Sequence, residues 1–479
     1  MTPIPQTRRD FMRDAAFGVA GIALVDLLAR DGLLAAEGDG SGGGVHHPAK
    51  AKRVIQIVLG GGLSQIDSFD FKPELEKFHG KEMPDLGVKV DPFFGKFGLL
   101  HKPHYAFKQR GQSGLWVSDL FPGLAGVADD LTVIRSMKAE TANHIPGLFQ
   151  ANTGFRTMGF PAMGAWLSYG LGSEADSLPS FVVLPDARGI PNSAGGSFNW
   201  SSGFLPAQHQ GVAFNTKGGA PILDIHPASG VPASVQAARF AFIKKMNERH
   251  LAEQAQADPL AARIRAYELA AQMQEAVPEA MDLASEPESV QKLYGLDRPE
   301  TKDVARNCLA ARRLAERGVR MVQVWTGDGV SWDSHDDMLG DGYKGHRGEA
   351  RRTDQPMAAL IADLKQRGML DDTLVVISTE FGRTPYAQAN AGTLSRGRDH
   401  HPDGFTNLLA GAGLKRGFAF GNTDEIGYRA AEDVVTTPDF HATILHLLGI
   451  DHERLTFYHN GIQRRLTNVH GHVVKGVLA

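Results

Sequence analysis

Five short segments of this 479-residue chain concentrate the side chains that could do chemistry. "SWDSHDD", residues 331–337, packs Asp333, His335 and Asp337 together. Carboxylate oxygens beside an imidazole suit Zn²⁺, Mn²⁺ or Mg²⁺; the plainer reading is a solvated acidic turn. "STEFGRTP", residues 378–385, holds Glu380 and Arg383. A carboxylate there can bind metal, and a guanidinium can clamp an oxyanion with two parallel hydrogen bonds. The two could equally pair with each other or cap a helix. "GRDHHPDG", residues 397–404, carries Asp399, His400 and His401. Adjacent side chains diverge, so one of the two imidazoles is expected to face a site, with the Asp as ligand or as orienter of a ligating His. "GGGLSQIDSFD", residues 60–70, offers Ser64 and Asp67 after a glycine turn. "ETANHIPGLFQANTG", residues 140–154, places Thr141, Asn143 and His144 ahead of a helix-like run. By contrast, "HKPHY" (residues 101–105) and His346 read as surface or loop. His441 and His446 are spaced i, i+5, off a common helical face, and read as packing.

Short Val/Ile-rich runs precede four of these segments, all but "GRDHHPDG". Residues 53–62, 131–137, 180–185, 319–325 and 373–379 lack polar alternation, as strands covered on both faces do. Helical periodicity marks residues 356–370 and 438–450, each with a glycine near its end. Strands alternating with helices predict an α/β fold, a three-layer sandwich with a mostly parallel central sheet. Residues 232–318, rich in Ala, Glu and Arg, read as an all-helical insertion. Ligands in such sheets bind beyond the carboxyl ends of the strands. Four of the strands are followed there by Asp, Glu, His, Ser or Asn, which points to one composite site.

Composition bounds the partners. Hydrophobic residues make up 42% of the chain, enough for a large core, and the net charge is −4. That balance gives no reason to expect nucleic acid as a partner. "TRRDFMR", residues 7–13, followed by a 15-residue apolar run interrupted by Asp26, fits a twin-arginine export signal better than a membrane span. The reading is residues 1–36 as the signal, 37–51 as a flexible linker and 52–479 as the working domain, exported to the periplasm or cell surface. An uncleaved signal would anchor the chain to a membrane. The single cysteine, Cys308, excludes an internal disulfide and reads as packing.

Longer stretches carry a resemblance. "VIQIVLGGGLSQIDSFDFKPEL", "TANHIPGLFQANTG", "VVISTEFGRTP", "GRDHHPDGFTNLLAG" and "TPDFHATILHLLGID" resemble a family of exported bacterial proteins placed in the alkaline phosphatase and sulfatase superfamily. The likeness runs from about residue 52 to the C-terminus. It implies an alkaline-phosphatase-like fold and a metal-dependent hydrolase of sulfate or phosphate esters. In that comparison Asp67 stands for an Asp after the first strand, and Asp333 for a second metal-binding Asp. Asp337 stands where its partner His would be, with His335 nearby. Glu380, Phe381 and Gly382 replace an Asp-His-Gly triplet, and His400 or His401 supplies the last His. His144 occupies the place of the Ser, Thr or Cys nucleophile; Thr141 fits only if the local alignment slips by three.

The resemblance therefore implies a divalent metal, Zn, Mn, Mg or Ca, drawn from Asp67, Asp333, His335, Asp337, Glu380, Asp399, His400 and His401. His144, Asn143, Thr141 and Arg383 are the candidate catalytic groups. The partner would be an anionic ester or a sulfated or phosphorylated polymer. The competing reading is a degenerate relative that binds such a polymer without turnover, or a cell-surface structural protein.

Overall fold

The structure is a computed structural model and describes residues 44–85, 96–218, 220–222, 232–252, 258–389 and 392–479. The expected export segment, residues 1–36, lies outside the described residues.

Nine strands form the central sheet. In chain order they are β1 (Arg53–Val58), β2 (Leu131–Lys138), β3 (Phe181–Leu184), β4 (Val212–Ala213), β5 (Met321–Trp325), β6 (Thr373–Ser378), β7 (Phe405–Ala410), β8 (Phe418–Phe420) and β9 (Val435–Thr436). The order across the sheet is β8-β2-β7-β6-β1-β5-β3-β4, with β9 also on β2. Every pairing is parallel except those of β7 with β2 and β6. The five expected strands are all present. β1 ends at Val58, so the following Gly turn belongs to the site and not to the strand.

The helices of nine or more residues are α1 (His144–Thr153), α2 (Met163–Leu171), α3 (Ala233–Ala252), α4 (Asp258–Ala280), α5 (Lys302–Glu316), α6 (His346–Gln366) and α7 (Thr437–Leu447); all but α3, whose Phe242, Ile243 and Met246 are exposed, supply side chains to the cores on the two faces. Successive strand residues face opposite sides of a sheet, and two cores result. Ile55, Ile57, Val322, Val324, Val375 and Ile377 pack with buried residues of α5 and α6. Val54, Val58, Met321, Trp325, Leu374 and Val376 pack with Leu148 of α1, Trp166 of α2 and Phe440 of α7. This is the expected three-layer sandwich.

Two boundaries move. Within residues 232–318, α5 contributes Val304, Ala305, Cys308 and Leu309 to the main core, so it is a covering layer of the sheet and not part of an insertion. Cys308 is fully buried, and burial pushes its thiol up to about 12. The expected linker is docked from residue 44 onward: Lys50 and Ala51 donate backbone N–H groups to Leu447 O, both at 2.8 Å. His46 Nδ1 accepts from Asp451 N.

The second core holds one polar seam. Asn152 on α1 accepts from Gln323 Nε2 at 3.0 Å and from Gln56 Nε2 at 3.4 Å. Gln56 also donates to Ser378 Oγ, and Asn152 Nδ2 donates to Asn199 Oδ1. Buried amides cost free energy unless each finds a partner. These bonds pin the rotation and register of α1 on β1, β5 and β6, and the first residue of α1 is His144.

Candidate metal centre

The site lies beyond the carboxyl ends of β1, β5 and β6. Its loops interlock through backbone contacts that only glycine permits. A Cβ on Gly60 would stand 2.3 Å from Gly329 O, and one on Gly61, at φ +118°, 2.5 Å from Trp332 N. The turn after β1 is thereby pressed against the loop after β5 that carries Asp333 and His335. Gly147, in the first turn of α1, lets the Glu380 side chain lie close, its Cγ 3.2 Å from where a Cβ would be.

Three imidazole nitrogens converge on one carboxylate oxygen. Asp333 Oδ1 lies 3.0 Å from His335 Nε2, 3.0 Å from His400 Nε2 and 3.3 Å from His144 Nε2. The Nε2 atoms of His335 and His400 are 2.9 Å apart. Ligand atoms of His144, Asp333 and His400 all lie within 4.8 Å of one another, the only such group found among the described residues. The Phe381 ring backs both imidazoles, at 5.0 Å from His144 and 4.8 Å from His400.

Two of the three outer nitrogens are held by acceptors. His144 Nδ1 donates to Glu380 Oε1 at 2.7 Å, and His400 Nδ1 donates to the carbonyl oxygen of Ala142 at 2.8 Å. His335 Nδ1 sits 3.8 Å from Asp399 Oδ1. A metal-ligating His characteristically donates its other N–H to a carboxylate or carbonyl, which fixes the tautomer and presents a lone pair inward.

Charge tests whether a cation fits. Burial, the largest influence, holds His400 down at about 4, so it is neutral near pH 7. A neutral imidazole donates from one nitrogen only. With Nδ1 bonded to Ala142 O, the His400 Nε2 lone pair points at Asp333 Oδ1, 3.0 Å away, and His335 Nε2, 2.9 Å away, a gathering of donor atoms that suits a cation. For His144, burial opposes charge, but its bonds to Asp333 and Glu380 outweigh burial and raise its pKa. A proton and a divalent ion compete for that same nitrogen. Burial alone would raise the Asp333 pKa; His144, His335, His400 and Arg383 instead hold it far below the usual range. Two imidazoles and one carboxylate, with borderline nitrogen and hard oxygen donors, suit Zn²⁺ or a similar divalent ion.

Several sequence expectations place differently. Arg383 is fully buried, and its guanidinium is spent on Gly61 O, Gly62 O, Arg398 O and Asp333 Oδ1 (2.7 Å to the last). It knits the loops and fixes Asp333, and it has no free edge for an oxyanion. Glu380 is also saturated. Its oxygens accept from Gly61 N–H at 2.9 and 3.2 Å and from the Thr379 hydroxyl at 3.1 Å, besides His144. It holds the outer nitrogen of His144 and lies outside the group of converging donor atoms. Asp67 is kept from the cluster by a buried ion pair with Arg398, 2.6 Å, and by bonds from Ser64 Oγ and His104. Burial would raise its pKa, but the Arg398 charge prevails and holds it well below the ordinary value.

Asp337 turns outward to Arg396. Asp399 accepts the His400 N–H at 2.8 Å and stands behind His335. His400 and His401 pair with Arg383 and Gly382 in a two-residue antiparallel ladder, so their side chains diverge as expected. His401 packs on Tyr428, ring centroids 4.0 Å apart. Asn143 is exposed at the start of α1 and makes no side-chain cap. The Thr141 hydroxyl accepts from Asn143 N.

Three residues were missed. Lys344, half-exposed, places Nζ 3.2 Å from Asp333 Oδ2, and its backbone is left-handed at φ +65°. His104, read as loop surface, has a side chain only 2% exposed and bonded to Asp67. His346, read as a surface His, is fully buried. A positive φ on a non-glycine between Gly342 and Gly345 has no sequence signature. The two imidazoles are buried by partners distant in the chain.

A family model described as "Protein of unknown function (DUF1501)" matches residues 51–478. No curated protein matches the chain. Among solved structures, the lipoteichoic acid synthase LtaP from Listeria monocytogenes is 10% identical, with 88% of this chain and 78% of that chain covered and a TM-score of 0.36. A protein in the alkaline phosphatase superfamily from Vibrio parahaemolyticus is 12% identical over 85% of this chain and 70% of that one, TM-score 0.36. The alkaline phosphatase from the Antarctic bacterium TAB5 is 11% identical over 79% and 96%, TM-score 0.33. Likenesses this distant carry no activity, substrate or ligand over to the chain.

Proposed function

The chain belongs to the family described as "Protein of unknown function (DUF1501)", and we propose that it is an exported, divalent-metal-dependent hydrolase of anionic esters, sulfate or phosphate. The observation that carries this reading is the convergence of His144 Nε2, His400 Nε2 and Asp333 Oδ1 with both outer imidazole nitrogens held. Those three residues would hold the ion, with His335 at its edge. A divalent ion there would supply Lewis acidity toward a sulfuryl or phosphoryl oxygen.

The remaining roles fall to the chain's own groups. Glu380 and the Ala142 carbonyl keep the two ligating imidazoles aimed inward. Arg383 locks Asp333. Lys344, the exposed cation at the cluster, neutralises the charge of an incoming ester. His144, in the nucleophile's place, is held between Glu380 and Asp333, which leaves water as the attacking group. Export rests on residues 7–36, and anchoring by an uncleaved signal on the same segment. Among the described residues no helix is long and apolar enough to cross a membrane.

Turnover of an aryl sulfate and an aryl phosphate by metal-loaded protein, lost in Asp333→Asn, tests the proposal. Metal-loaded protein that turns over neither, across Zn²⁺, Mn²⁺, Mg²⁺ and Ca²⁺, would overturn it. His144 in the nucleophile's place favours one second reading, a centre that binds a sulfated or phosphorylated polymer without cleaving it. Retention of the metal-loaded protein on a sulfated polymer, with no ester hydrolysis, would establish that alternative.

A further inference from the structure

His346 begins α6 and touches none of the cluster's ligand atoms, yet it is fully buried and edge-on to Trp332, with ring centroids 5.2 Å apart. Its hydrogen bonds have a fixed direction. The backbone N–H of Ser64 points at His346 Nε2, 3.0 Å away, so Nε2 must accept. Nδ1 then carries the proton and donates to Ser334 Oγ at 2.7 Å. The Ser334 hydroxyl in turn donates to Lys344 O at 2.5 Å. The relay therefore starts in the loop after β1, crosses a neutral imidazole and ends at the left-handed backbone of Lys344.

Ser334 stands between Asp333 and His335. Its side chain turns to His346 while both neighbours turn to the His400 side, where Asp333 Oδ1 and His335 Nε2 meet at 3.0 Å. Burial, the largest influence on it, holds His346 down at about 3, in keeping with an Nε2 that faces a donor and has no room for a second proton. We propose that His346 is a positioning residue: by gripping Ser334 it sets the loop of residues 333–344 so that Asp333, His335 and Lys344 reach the metal centre. The inference rests on the metal reading above and deepens it.

The two arms of the imidazole can be cut separately. An Asn amide reaches roughly where Nδ1 lies, and a Gln amide roughly where Nε2 lies. His346→Asn keeps the Ser334 arm, and His346→Gln keeps the Ser64 arm. Both lose a comparable share of core packing, so a merely structural His346 would make them alike. The assay is the Zn²⁺ dissociation constant of the full chain, by competition with a chromophoric chelator, alongside urea unfolding. His346→Asn should stay within about threefold of wild type, whereas His346→Gln should weaken Zn²⁺ by about 10–100-fold, the usual loss when an outer partner of a metal site is removed. Ser334→Ala, a small change that should fold if either imidazole variant does not, is expected to weaken Zn²⁺ over the same range. Equal affinities for the Asn and Gln variants, or wild-type affinity in Ser334→Ala, would overturn the inference while leaving the metal reading intact. A wild-type chain that binds no Zn²⁺ would instead remove the metal reading, and the inference with it.

Discussion

Glu380→Gln separates an orienting carboxylate from a ligating one. Glu380 is 2% exposed, and each of its hydrogen bonds is accounted for: Gly61 N, the Thr379 hydroxyl and His144 Nδ1. Gln is nearly isosteric. Its amide oxygen can stay on His144 Nδ1 while its NH₂ meets the Thr379 hydroxyl, so the main loss is charge. A hydrogen bond to a charged group contributes about 1.5–3 kcal/mol and a neutral one about 0.5–1.5 kcal/mol. The difference, roughly 1–1.5 kcal/mol, is about tenfold in affinity. Glu380→Ala, which strips the Nδ1–H of its acceptor altogether, should cost more, up to about a hundredfold. The assay is competitive Zn²⁺ titration of wild type and both variants near neutral pH. Unchanged affinity in Glu380→Ala would refute the claim that Glu380 aims His144. A loss far beyond a hundredfold in Glu380→Gln would show that Glu380 is itself a ligand.

Two further predictions concern groups outside the cluster. Asp67→Asn breaks a pair in which neither side chain is exposed; by urea unfolding it should cost about 3–5 kcal/mol and leave metal stoichiometry unchanged, whereas metal loss with little destabilisation would return Asp67 to the ligand set. Asp354, which accepts the N–H groups of Gly123 and Leu124, is pushed by burial from 3.8 up to about 6. The folded state therefore holds this proton more tightly than the unfolded state. Its stabilising contribution is complete below about pH 4 and lost as pH rises through about 6, some 3 kcal/mol in all. Asp354→Asn should flatten that part of the stability–pH curve, and an unchanged slope between these limits would refute the assignment.

The sheet was legible because its central strands are buried on both faces and so read as unbroken apolar runs. β7 was not: "FTNLLA" mixes polar residues, and Asn407 is needed to accept from Thr379 N. β8, β9 and β4 are two or three residues long, too short to show a period. In the site, Asp333, His335 and His144 stand out because each follows a strand beside other polar groups, and His400 because two adjacent His sit beside an Asp in a loop; the structure brings these four together. Roles were harder to read than positions. Glu380 and Arg383 look like a ligand and an anion clamp in sequence, and only the packing shows that their bonding capacity is already used by backbone groups. Asp67 fails as a ligand because Arg398, 331 residues away, meets it in the interior. Lys344, and His346 at the start of α6, follow a fold-back that depends on Ser334 and on a left-handed turn, which neither composition nor spacing encodes.

The most direct test of the metal centre is the stoichiometry of bound divalent metal in the folded full-length chain, by elemental analysis after dialysis against Zn²⁺, for wild type and for Asp333→Asn combined with His400→Ala. About one equivalent in the wild type, as one set of two His and one Asp with an open position would hold, and none in the folded double variant is the predicted result. A wild type that holds no metal, or a double variant that keeps all of it, would contradict the account.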